Sequence, residues 1–334
     1  MTTPRIGFAC KFSEHTPKGV ASVPDLNYKG TTVAWLKRQR PNEAEDRMWT
    51  IVMHNIAATK SLVNKVGELD AHLRMVRLGS DMLPMYTEPS FRYFYSKLDV
   101  RDYIEKHLSE VGRLARDRDV RLSFHPGQFC VLASDNAGIV DRSIEEFEYH
   151  ADMARYMGYG QKFQDFKINV HISGRQGPEG IRKAYQRLSP EARNTITIEN
   201  EEITHGLDTC LSISDLVPIV LDIHHHWVRE GEYIQPGDDR VKRVIESWRG
   251  VRPTCHYSVS REDALAGHDP LVLPDHGLLL ANGKRKAGLR AHSDYYWNQA
   301  VNDWAKEFAQ DFDIMCESKA KNLASFKFAE EVPK

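Results

Sequence analysis

Eight short β-prone runs, each followed by a helical stretch, limit the folds open to this chain more than any other feature. The runs lie near Ile6–Ala9, Met75–Leu78, Leu122–His125, Ile168–His171, Thr195–Glu199, Ile219–Asp222, Thr254–Tyr257 and Ile314–Glu317. Between them the apolar period changes from two to 3.6 residues. Residues 42–66, for instance, put Trp49, Val52, Ile56, Val63 and Val66 on one helical face. Residues 99–117, 138–157, 208–217, 239–249 and 295–310 behave alike, and Pro178 suits the first turn of a further helix. Eight β-then-α units predict an α/β fold, a single-domain (β/α)8 TIM barrel over residues 1–334. There is no linker, fixed-period repeat or low-complexity tract to divide it.

Two connections exceed the pattern. Residues 10–41 follow the first strand and residues 258–293 follow the seventh. Long loops of this kind are usually functional, and on a barrel both belong to the face that carries active sites. Composition narrows the class. Of the 334 residues 41% are apolar and 28% charged, as expected of a globular protein. No run of 18 apolar residues exists, and the N-terminus lacks a signal-peptide core, so the expectation is a cytoplasmic enzyme without a membrane partner. Cys10, Cys130, Cys210, Cys255 and Cys316 form no CxxC pair, which argues against a disulfide framework or a zinc finger. The net charge of −2 excludes a globally basic nucleic-acid binder. Any DNA contact must come from a local basic patch or from bound cations.

The ends of the strands carry the chemistry. Successive runs from the third to the eighth close on His125, His171, Glu199, Asp222 (with His225 three residues on), His256 and Glu317. In a closed parallel barrel these side chains converge on one rim. A single terminal histidine or carboxylate is ordinarily structural, but six in succession are not. With no comparable set of Lys or Arg at the strand ends, crowded carboxylates would shift to higher pKa unless cations sit among them. Mixed imidazole and carboxylate donors suit Zn2+ or Mn2+, and their number predicts more than one ion. His224 and His226 are expected to support the site or face solvent.

The ordered motifs HPGQF, VHISG, IENEE, LDIHHH, CHYS, AHSDYY and CESKAK resemble the ultraviolet damage endonucleases, from about residue 5 to residue 325. That family is a barrel related to endonuclease IV. The resemblance implies a monomer that nicks double-stranded DNA 5′ to cyclobutane pyrimidine dimers and (6-4) photoproducts with up to three divalent metals. Mn2+ is the first expectation, with Zn2+, Co2+ and Mg2+ as alternatives. In a prokaryotic source the enzyme would be cytoplasmic and nucleoid-associated when at work. The resemblance assigns ligand roles to His125, His171, Glu199, Asp222, His225, His256, His292 and Glu317. Spacing alone does not select His292 over His268 or His276. Glu199, His256 and Lys319 are the expected catalytic residues, and Lys319 and Lys321 the expected phosphate contacts.

The sequence also departs from that pattern. Many relatives carry a carboxylated lysine where this chain has Thr254, and a histidine ligand where it has Glu88. The two changes preserve charge, because a carbamate with a neutral imidazole and a threonine with a glutamate both carry −1. Glu88 is therefore expected to be a ligand. Gln128 and Phe129 correspond to residues that fill the duplex when a lesion is flipped out; the competing reading makes Phe129 core. Phe8 stands where relatives have a tyrosine, and counts with Arg290 among the expected DNA contacts. Lys284, Arg285, Lys286 and Arg290 form a basic run suited to the DNA backbone. Two other readings stay open: a metal-dependent sugar isomerase on a related barrel, and a damaged-DNA binder that does not cut.

Overall fold

The computed structural model describes residues 3–333. Its strands are β1 (Ile6–Ala9), β2 (Ser13–Thr16), β3 (Gly19–Ser22), β4 (Met75–Arg77), β5 (Arg121–Phe124), β6 (Lys167–His171), β7 (Ile196–Glu199), β8 (Ile219–Val220), β9 (Thr254–Tyr257) and β10 (Asp313–Cys316). Eight of them form one sheet in the order β8-β7-β6-β5-β4-β1-β10-β9, every pair parallel. The sheet curls until its ends meet. Asp222 and His256 form a parallel bridge, and the His256 N–H donates to Leu221 O at 2.9 Å. The predicted barrel is therefore observed, with strand ends shifted by a residue or two.

Helices Pro41–Gly67, Leu98–Asp117, Ala137–Tyr156, Gly177–Arg187, Asp239–Ser247 and Gln299–Lys306 pack around the sheet. Their limits have local causes. Pro41 occupies the first turn of its helix, where a missing N–H costs nothing. The Asn136, Asp238 and Asn298 side chains accept backbone hydrogen bonds at the starts of theirs. The Asn298 cap also explains why the helix expected over 295–310 begins at Gln299. The helix expected over 208–217 is shorter, Leu207–Leu211. Neither long connection is unstructured. Residues 10–41 hold the β2–β3 hairpin and the helix Val33–Leu36, and 258–293 hold the short helices His276–Ala281 and Lys286–Leu289.

Strand alternation decides what fills the barrel. On β6, Ile168 and Val170 join the apolar shell, while Asn169 and His171 meet Glu199 of the adjacent β7 and Lys167 crosses the interior to His256 of β9. The lower end is closed by Asp313, which accepts from Arg121 Nη1 at 2.6 Å, Arg252 Nε at 2.9 Å and the Arg5 N–H at 2.9 Å. TIM barrels ordinarily fill this space with branched aliphatic layers. Here much of it is polar, and the polar column leads up to the rim.

Candidate metal centre

His125 follows β5 directly. Its Nδ1 lies 2.9 Å from Pro126 O, so Nδ1 carries the proton and Nε2 presents a lone pair, 3.3 Å from Glu199 Oε2. In two other rings Nδ1 is likewise fixed by a carbonyl, which turns Nε2 away from it. His225 Nδ1 lies 3.1 Å from Asn200 O, and His292 Nδ1 lies 2.7 Å from Glu317 O. A carbonyl fixing one ring nitrogen so that the other faces a cation is the usual support of a metal-binding histidine. His171, at the end of β6, places Nε2 3.6 Å from Glu199 Oε2.

Glu199 is the hub. It is fully buried, accepts from Asn169 Nδ2, and has His256 Nδ1 3.1 Å from its Oε1. Burial pushes its carboxyl pKa up, but the neighbouring imidazoles of His256, His171 and His125 hold it well below the ordinary range. Asp222 behaves oppositely. Burial raises it well above the ordinary value, and Glu199 and Glu317 add to the rise against the pull of His225. Its Oδ1 caps the helix Ile223–Glu230 by accepting from the His225 N–H at 2.7 Å, while its buried Oδ2 has no hydrogen-bond partner. Burial lowers His171 and His256 to about 4. Burial also opposes charge on His225, yet Asp222, Glu199 and Glu202 raise it to about 9.

Three sets of donor atoms lie within 4.8 Å of one another: His125/His171/Glu199, His125/His256/Glu317 and Glu199/Asp222/His225. An orphaned, buried carboxylate oxygen beside histidines with prepared lone pairs fits divalent cations. Of these, His125, His171, His225 and Glu317 line a cavity of about 730 Å3 that also includes Gln128, Glu202, Arg290, His292, Lys319 and Lys321. Lys321 borders it with a positive φ, φ 55° and ψ −127°, outside the left-handed helical region, which costs a non-glycine residue about 1–3 kcal/mol.

Several expectations need correction. The rim is not free of cations: Arg77 at the end of β4 is ion-paired with Glu317, and Lys167, at the start of β6, places Nζ 3.0 Å from His256 Nε2. Burial lowers Lys167 to about 7 against the pull of Glu199. Arg77 and His256 hold Glu317 well below the carboxylate range against its burial. Among Glu199, Asp222 and Glu317, only Asp222 is raised, by burial first and by its carboxylate neighbours second.

Glu88 does not join the centre. Its loop is tied to the helix Ala137–Tyr156 by the bond from Leu83 N to Tyr149 Oη, so Glu88 lines a neighbouring groove with Asp81, Arg142 and Glu146. Phe8 is fully buried and meets Phe12 and Phe326 edge-on, both at 5.8 Å, so it is not a DNA contact. Gly7, its neighbour, abuts Met75 and Met315 of adjoining strands, and alternation turns Phe8 the other way. His224 and His226 are both buried, so neither faces solvent; His224 is held between Ser258 Oγ at 2.8 Å and Ser260 Oγ at 3.2 Å.

Phe129, by contrast, is 85% exposed, which removes the reading of it as core. Gln128 borders the cavity with the ligand set, and Phe129 borders the groove on the other side of the turn. Arg290 Nη1 lies 3.2 Å from Glu202 Oε1, and Lys284 and Arg285 are exposed. Sequence reasoning missed Arg77, Lys167, Asn169 and Glu202. Period-two counting back from His171 would have placed Asn169 and Lys167 on its face; no local signal marks Arg77 or Glu202.

Fold and rim together define a (β/α)8 enzyme framework with a candidate metal centre at the C-terminal ends of its strands. A family model described as UV-endonuclease UvdE matches residues 4–334, and the chain belongs to that family. It is therefore an endonuclease. The UV DNA damage endonucleases of Bacillus cereus (strain G9842) and Bacillus thuringiensis subsp. konkukian (strain 97-27) are each 25% identical to it, over 319 and 317 residues, spanning 91% of this chain and 89% of each relative. The crystal structure of SacUVDE matches with a TM-score of 0.71 at 20% identity, covering 98% of this chain and 97% of that one. Endonuclease IV from Thermus thermophilus matches at 0.54 and 12% identity, covering 81% and 91%. These two structures bear on the fold alone. Among the described residues no helix is long and apolar enough to cross a membrane.

Proposed function

We propose that this endonuclease repairs DNA by incising the backbone immediately 5′ to cyclobutane pyrimidine dimers and (6-4) photoproducts. It acts as a monomer on double-stranded DNA, with two to three divalent ions, Mn2+ before Zn2+, Co2+ or Mg2+. The observation that carries the reading is the donor set: buried Glu199 shared by His125, His171 and His256, beside Asp222, whose Oδ2 has no hydrogen bond. Divalent ions in such a set supply Lewis acidity towards a phosphodiester and its attacking water.

The chain's own residues do the remainder. Glu199, Asp222 and Glu317 hold the positive charge, and His125, His171, His225, His256 and His292 complete the donors. Lys319, Lys321 and Arg290 border the same cavity and grip the phosphates that flank the scissile bond. Lys319 also offsets charge on the reacting phosphate. Gln128 and exposed Phe129 enter the duplex where a lesion leaves the stack, a step whose cost falls when the lesion already distorts the helix. The run Lys284–Arg290 adds backbone contacts that weaken with salt.

The test is a duplex with one defined photoproduct, incubated with the protein and each of the four metals, its cut mapped at nucleotide resolution. Incision at the phosphodiester 5′ to the lesion supports the reading. Binding without incision would favour a damaged-DNA binder, and absence of both would reject a role in photoproduct repair.

A further inference from the structure

Glu202 has no role in any reading above, yet it faces the rim. Its two chain neighbours are otherwise engaged. Asn200 locks β7 to β8, with Nδ2 donating to Asp222 O at 3.0 Å and Oδ1 accepting from the Asp222 N–H at 2.9 Å. Glu201 Oε1 accepts from the N–H groups of Thr204 and His205, both at 3.1 Å, and so closes the loop. Glu201 and Glu202 both border the cavity of the ligand set, but only Glu202 is left free of the loop's backbone to turn towards His225. Its side chain is 14% exposed, and Oε2 lies 3.7 Å from His225 Nε2.

The His225 ring decides what Glu202 can do. Nδ1 is 3.5 Å from both Glu199 Oε1 and Asp222 Oδ2, but 3.1 Å from Asn200 O. The carbonyl can only accept, so Nδ1 keeps its proton, and Nε2, on the Glu202 side, is the nitrogen that exchanges its proton for a cation. His292 is oriented alike by its bond to Glu317 O, and the two rings are 6.3 Å apart between centroids. We infer that Glu202 is a metal ligand, forming with His225 Nε2 and His292 a cation position separate from the one beneath Glu199 and Asp222. Two imidazoles and a carboxylate suit Mn2+ or Zn2+.

Glu202 then supplies the fourth carboxylate of the centre, the part that Glu88 is too remote to play. It also couples two tasks. Glu202 now pairs with Arg290 of the basic loop. A cation on Glu202 displaces that guanidinium, which borders the same cavity and becomes free to take a phosphate.

The inference rests on the reading that the rim holds divalent ions, and one experiment separates the two. Wild type, Glu202→Gln and Arg290→Ala are equilibrated with Mn2+ without DNA, and bound Mn2+ per chain is counted by mass spectrometry and by electron paramagnetic resonance. Glu202→Gln should bind one ion fewer than wild type, while Arg290→Ala keeps the full count. Equal counts in wild type and Glu202→Gln would overturn the ligand role and leave Glu202 as the ion-pair partner of Arg290. No Mn2+ on wild type would instead overturn the metal reading of the whole rim. If Glu202→Gln does not fold, Glu202→Ala and Glu202→Asp repeat the count, with the same two outcomes.

Discussion

Asp222 Oδ1 caps a helix while Oδ2 is buried without a partner, and these two atoms make opposite predictions for one substitution. Asparagine preserves the cap but removes a charge that Glu199 and Glu317 disfavour. In chelator, Asp222→Asn should melt at or above the wild-type temperature, yet bind Mn2+ at least about tenfold more weakly. A structural carboxylate would show the reverse: lower melting and unchanged Mn2+ binding. Protonation of the metal-free protein is a second test. His171 and His256, held at about 4 by burial, are neutral in the fold but charge below about 6.5 when unfolded. The unfolded chain therefore binds more protons, and the stability these residues contribute is complete above pH 6.5 and lost as pH falls towards 4. His225, raised to about 9, has the opposite sign: its contribution is present below pH 6.5 and lost as pH climbs through 9. Melting curves in chelator should thus fall on the acid side of about pH 6.5, and a flat profile from pH 6.5 to 4 would contradict the assignment. Residues at the ends of strands were legible because one position per strand points to the rim. Arg77 and Lys167 were not, because their partners Glu317 and His256 are remote in sequence and meet them only once the barrel closes.

At the scale of elements, the turn after β5 separates two tasks. His125 is oriented by Pro126 O; Gln128 and Phe129 follow, one towards the ligand cavity and one into solvent. The double change Gln128→Ala/Phe129→Ala should retain wild-type melting and Mn2+ content, since neither side chain belongs to the core or the ligand set. Its preference for a photoproduct duplex over an undamaged one, read by competition binding, should fall by at least about tenfold, the loss of a stacking contact worth about 1–3 kcal/mol. Undiminished preference would remove the wedge role. The HPGQF motif made this turn readable from sequence. Glu88 and Phe8 were misplaced for a common reason: each was assigned by its position in a motif, whereas loop packing against Tyr149 and strand alternation beside Gly7 fix where they point.

For the whole molecule, the barrel holds ionic groups at both ends of its axis. The lower end depends on Asp313, 3% exposed and bound by Arg121 and Arg252. Asp313→Ala leaves two arginines uncompensated, and urea unfolding should show a loss of about 3–5 kcal/mol, with Mn2+ content at the far rim unchanged. The eight-unit alternation made the barrel itself legible. It could not reveal that the interior is polar, because inward and outward faces are defined only by closure. That polar column supports the central claim, that the upper rim is a multinuclear metal centre. Anomalous diffraction from Mn2+-soaked crystals, recorded at the manganese edge, tests it most directly. The account predicts separate peaks among His125, His171, Glu199, Asp222, His225, His256, His292 and Glu317; a map with no peak within bonding distance of Glu199 or Asp222 would contradict it.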